Sequence, residues 1–162
     1  DTDGQTVSLA DFKGKVVAIE WFNPDCPFVK YAYDEGVIPK LSRHWTEQGV
    51  VWAAVNSGAP GKQGTGKERN AKAKADWGLP GPVLLDESGA VGKLFEAKTT
   101  PQIVVINPEG VLVYNGALDN APRGETRGAA FTNHTAEVLE QVTRDGTAPY
   151  GRQKPYGCSV KY

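Results

Sequence analysis

At 162 residues, 40% of them hydrophobic and 23% charged, the chain is long enough for one domain with its own core and has the make-up of an ordinary globular protein. A net charge of −1 gives no basic footprint for nucleic acid, and no apolar run approaches the roughly 20 residues that a membrane-spanning helix needs. There is no methionine and the chain opens on Asp1, which reads as a processed chain from which a leader has been removed.

The first eight residues are polar and turn-like, and Leu9 to Phe12 suits one short helical or 3₁₀ turn. Val16 to Phe22 is a β-branched and aromatic run broken only by Glu20, the pattern of a central strand covered on both faces. Asn23-Pro24-Asp25 ends it. A helix is expected from Pro27 to about Gln48, kinked or broken near Val37 by Gly36 and Pro39, with Gly49 as its stop. Val50 to Val55 is a second apolar strand.

Ser57 to Lys67 is glycine-rich and reads as a flexible, solvated loop beside the end of the sheet. Gly61, Gly66 and Lys67 imitate a phosphate loop, but Glu68 stands where the magnesium-binding Ser or Thr belongs, so nucleotide binding is set aside. Glu68 to Trp77 is a charged helix, Pro82 to Asp86 a short strand and Gly89 to Ala97 a short helix. Gln102 to Asn107 and Val111 to Asn115 flank Asn107-Pro108-Glu109-Gly110, a hairpin signal. The last helix is expected over Ala130 to Arg144. The Asn133-His134-Thr135 triplet fits a glycosylation acceptor, a pattern frequent by chance. The tyrosine-bearing residues 147–162 read as an extended arm that docks on a domain of residues 1–146.

Cys26 and Cys158 lie 132 residues apart, which is neither a metal-ligand cluster nor a disulfide-dense scaffold. Closing so long a loop structurally would contribute about 5 kcal/mol in the chain-entropy model; a reversible pairing is the sharper alternative. Pro27 fits the first position of a helix, where its missing N–H costs nothing, and it pushes Cys26 out of the α region as an N-cap requires. A thiol there meets unpaired amides and the positive end of the helix dipole, which favour thiolate. Lys30 is expected to add a cation on the same face and Asp25 to oppose it. A free cysteine is often inert core. This one follows a central strand, at the end where open α/β sheets place their sites, so a reactive and reachable thiol is expected.

Strand and helix alternate and then close with a hairpin and a helix, which predicts an α/β fold with a central mixed sheet flanked by helices, the thioredoxin layout. The stretches VVAIEWFNPDCPFVKY, VVWAAVNSGAPGKQG, TTPQIVVINPEGVLVYNGALD and KPYGCSVKY together resemble the redoxin, peroxiredoxin-like branch of the thioredoxin superfamily, the group related to alkyl hydroperoxide reductase and thiol-specific antioxidant domains. The resemblance implies that Cys26 corresponds to the first cysteine of the C-x-x-C pair, the second being replaced by Val29. It implies a cis peptide at Thr100-Pro101 whose backbone edge takes an extended substrate, and a buried acid, Glu20, that helps move a proton, the alternative for Glu20 being a structural pair with a lysine; Pro27 and Lys30 are further candidate substrate contacts.

Set against a peroxidase motif, Asn23 stands at the Thr position and Ile19 at the Pro position, with Arg123 and Arg127 as the candidate arginines. The expected activity is thiol–disulfide oxidoreduction, with Cys26 as nucleophile and Cys158 as resolving thiol. A thiol peroxidase and a non-catalytic thioredoxin-fold binding module are the alternatives. The substrate is a protein or small-molecule disulfide or thiol, with no cofactor. A soft metal held by Cys26 with His44 or His134 is a weaker idea, because neither histidine is near the cysteine in sequence. The missing initiator and the possible long-range disulfide point to a periplasmic or otherwise extracytoplasmic setting.

Overall fold

In the computed structural model, which describes residues 1–162, the β-branched run forms strand β1, Val17–Trp21, with all five residues buried. A pleated strand sends alternate side chains to opposite faces. Val17, Ile19 and Trp21 therefore enter one apolar cluster, while Ala18 and Phe22 enter a larger one on the other side, with the buried Glu20 between them in sequence. Helix α1 is Pro27–Asp34 and α2 is Val37–Glu47. The expected break falls at Gly36, which takes the left-handed conformation (φ 73°), and Pro39 sits in the first turn of α2, where it forfeits no helical bond.

Strand β2 is Val51–Asn56, α3 Lys67–Trp77, β3 Val83–Leu85, α4 Ala90–Leu94, β4 Thr99–Thr100, β5 Gln102–Ile106, β6 Leu112–Gly116, α5 His134–Asp145 and β7 Cys158–Ser159. The main sheet has the order β3-β2-β1-β5-β6. Strand β1 runs parallel to β2 (Val17 opposite Val51, Trp21 opposite Val55) and antiparallel to β5 (Val17 opposite Ile106, Trp21 opposite Gln102). This is the mixed sheet that the element order predicts.

Residues of α1, α2 and α5, including Val29, Ile38 and Leu139, build the larger cluster. The smaller one is closed by Phe12 of a 3₁₀ turn over Leu9–Phe12, with Phe95 and Ala97. No helix is long and apolar enough to cross a membrane.

Two expectations need correction. The last helix starts at His134 and not at Ala130. Asn133 caps it by accepting a 2.9 Å bond from the Ala136 amide, and both ends of the Asn120 amide pin Ala130 and Thr132 outside the helix. The glycine-rich loop is also not free. Asn56 and Asn70 both donate to the Gly64 carbonyl, at 2.8 and 3.1 Å, and Asn23 donates to the Gln63 carbonyl at 3.0 Å. Gly64 has φ 75° and lies so close to Asn23 that a methyl group there would run into its side chain.

The C-terminal arm docks. The amides of Asn115 and Ala117 donate to the carbonyls of Gly151 and Gln153, β7 pairs antiparallel with β4, and Val160 donates to the Lys98 carbonyl.

Candidate active site

Cys26 is the N-cap of α1 and Pro27 its first residue, as the steric argument requires. Across the turn stands β4, whose Thr100 is 2% exposed and joined to Pro101 by a cis peptide, as the resemblance implied. The tail supplies the third wall, because Thr100 pairs with Cys158 in register. The Cys26 sulfur consequently lies 2.7 Å from the Cys158 sulfur and 3.1 Å from the Thr100 carbonyl oxygen. Both cysteines are unbridged. Folding has brought together two sulfurs 132 residues apart.

The pair does not ionise symmetrically. Burial pushes the Cys26 thiol up, but the Cys158 thiol, the Thr100 side chain and the amides of Val29 and Cys158 outweigh it, and the Cys26 pKa is lowered. Cys158 is pushed up to about 11, by burial first and then by the neighbouring Cys26. When the pair carries a single negative charge, that charge sits on Cys26 while Cys158 keeps its proton and donates it.

Cys26 is 0% exposed, packed in the larger apolar cluster with the tail's Cys158 against it, which corrects the expectation of a reachable thiol; Cys158 is half-buried. Lys30 is solvent-exposed, where water screens its charge, which corrects the expectation that it acts on the thiol. Pro27 is exposed at the rim.

Asp25 is held by Arg69, whose Nε and Nη2 donate to one carboxylate oxygen at 3.0 and 2.7 Å while Nη2 also reaches the Pro24 carbonyl. The cation beside the thiol turn is therefore Arg69, which no local pattern in the sequence singles out. Arg123 and Arg127 are both exposed.

Glu20 of β1 is 0% exposed. Tyr33 of α1 donates to one of its oxygens at 2.8 Å, and the other oxygen has no partner. The Trp52 indole nitrogen is near enough to favour the carboxylate without completing a hydrogen bond. Burial dominates and raises the pKa from 4.5 to about 8, so Glu20 is a buried acid that keeps its proton at neutral pH. His44 pairs with Gln48 and His134 with Tyr150, and no group of three or more His, Cys, Asp or Glu residues converges to hold a metal.

The family model described as Redoxin matches residues 1–130. The chain belongs to the Redoxin family. Among curated proteins, this redoxin is 29% identical over 113 residues to the thiol-disulfide oxidoreductase ResA of Bacillus subtilis (strain 168), an alignment covering 70% of this chain and 59% of that protein. The chain thus spans under two thirds of that relative's length. A hypothetical protein of Sinorhizobium meliloti 1021 matches 100% of this chain and 88% of its own at 25% identity, with a TM-score of 0.86. A thioredoxin-like protein from Aeropyrum pernix covers 70% of this chain and 76% of its own at 21% identity and a TM-score of 0.56, a likeness of fold. The redoxin match stops before Cys158, so the second sulfur belongs to a tail outside the matched residues.

Proposed function

We propose that this redoxin is a thiol–disulfide oxidoreductase in which Cys26 is the nucleophile and Cys158 the resolving thiol. The observation that carries the reading is the 2.7 Å separation of the two sulfurs, with the charge biased to Cys26. The Cys26 thiolate attacks a substrate disulfide, forming a mixed disulfide while the far substrate sulfur leaves as a thiolate with the bonding electrons. Deprotonated Cys158 then attacks the Cys26 sulfur, forming Cys26–Cys158 and releasing the second substrate thiolate. One substrate disulfide is reduced and one protein dithiol oxidised.

Protons must leave Cys158 and reach the departing thiolates. A buried acid with a pKa of about 8 is suited to exchanging them, and we assign that work to Glu20. Thr100 and Pro101 supply the backbone edge for the substrate, with Pro27 at its rim. The substrate class is a protein or small-molecule disulfide, and the setting that suits reversible pairing of two thiols is extracytoplasmic.

Thiol counting before and after treatment with a small disulfide, with peptide mapping, tests the assignment. The wild-type protein should lose both thiols to one intramolecular disulfide, and Cys158→Ser should stop at a mixed disulfide on Cys26. Absence of a Cys26–Cys158 link under any oxidant overturns the resolving role, and rapid peroxide consumption without disulfide exchange would transfer the protein to the peroxidases.

A further inference from the structure

The two-residue strand β4 has one strand partner, and that partner is the chain's own tail. An antiparallel ladder is made by main-chain groups, so it accepts any extended segment, and selectivity comes from the side chains that flank it. At this edge the flanking positions are demanding. Gly157 sits at φ 130°, and a methyl group on it would run into the Thr100 carbonyl. Cys158 follows, facing Cys26. Ser159 is exposed, and Val160 packs against the smaller apolar cluster while its amide donates to Lys98. The occupant thus has the pattern glycine, cysteine, any residue, aliphatic.

The same tail stands against the buried Cys26, its own sulfur 2.7 Å away, yet it is lightly held. No residue from 143 to 162 is fully buried. Beyond the ladder and the bonds to Gly151 and Gln153, it is anchored at either end by Tyr156, which bonds Asp119 at 2.6 Å and packs on Phe28, by Tyr162, which bonds the Ala97 carbonyl at 2.7 Å, and by the Ala59 amide on the Lys161 carbonyl at 2.8 Å. A segment with few buried apolar groups opens more readily than the core it lies on.

We propose that residues 157–160 are the internal occupant of a peptide-binding edge, and that its external occupant is an extended segment with glycine immediately before a cysteine, which enters only when the tail lifts. Resting on the disulfide-exchange reading of the site, this makes resolution and release one event. Cys158 reaches the Cys26 sulfur by taking back the edge on which the substrate strand lay, and the substrate thiolate leaves with its strand.

The test measures alkylation of Cys26 by a maleimide in a Cys158→Ser background, at fixed pH, with circular dichroism as the control for folding. Adding Gly157→Ala should speed alkylation about tenfold or more, because a non-glycine residue at this backbone angle is strained and shifts the docking equilibrium by that order. A second variant, Tyr156→Phe with Tyr162→Phe, removes two anchoring hydroxyls without touching the edge and should also speed the reaction.

A synthetic peptide with the sequence of Lys154 to Tyr162 and serine at the cysteine should slow it again in the Gly157→Ala protein, whereas the same peptide with alanine for glycine should not. Unchanged alkylation in both variants overturns the gating, and equal protection by the two peptides overturns the glycine requirement. These readouts need no turnover. Gating without consumption of any disulfide by the wild-type protein would count against the proposed activity and leave the edge assignment standing.

Discussion

Replacing Glu20 by Gln removes a proton-binding group from the core while keeping its shape and an oxygen to accept the Tyr33 hydroxyl. In the unfolded chain this carboxyl ionises near 4.5, and in the folded protein it holds its proton until about 8. Between those values the folded state carries the extra proton, so stability falls as pH rises, at about 1.4 kcal/mol per pH unit. The contribution of the protonated acid is complete below the unfolded value and lost as pH rises through the folded one. From pH 5 to pH 8 this group alone should cost the wild-type protein about 3 kcal/mol. Urea unfolding of the reduced proteins at those two pH values measures it. Glu20→Gln should lose about that much less stability over the interval, and it should be the more stable of the two at pH 8. An equal fall in both proteins would refute the claim that a buried proton sits on Glu20.

Arg69→Ala should leave the Asp25 carboxylate unneutralised beside the thiol and raise the midpoint of the Cys26 alkylation profile by about half a unit to one unit, followed by thiolate absorbance in the ultraviolet. Lys30→Ala should leave the same profile where it is, since that side chain points into solvent. Gly64→Ala forces a methyl group into Asn23 from a left-handed backbone and should cost about 1–3 kcal/mol in thermal unfolding.

What could be read from the chain was local. A β-branched run made β1, and a proline one position after Cys26 dictated the cap. Asn107 and Gly110 closed the hairpin, with the Asn107 side chain accepting from the Val111 amide. What could not be read depends on partners far along the chain. Nothing near Arg69 points to Asp25, and nothing near Tyr33 points to Glu20. The apolar Ala129-Ala130-Phe131 run imitates a helix start, yet Asn120 from an earlier turn ties up the Ala130 carbonyl and the Thr132 amide. Glycines in 57–67 suggested freedom; Gly64 is there instead because the loop must touch Asn23. Cys158 invited pairing simply as the second cysteine, but its place on the Thr100 edge depends on a strand two residues long, too short to announce itself.

The distance along the chain between the two sulfurs also sets an order of events during synthesis. Cys26 leaves the ribosome with the first strand, whereas Cys158 follows only after every strand of the main sheet has been made. Until Cys158 has been added, the growing polypeptide holds Cys26 without its partner sulfur, so any redox cycle between the two must wait for the tail strand.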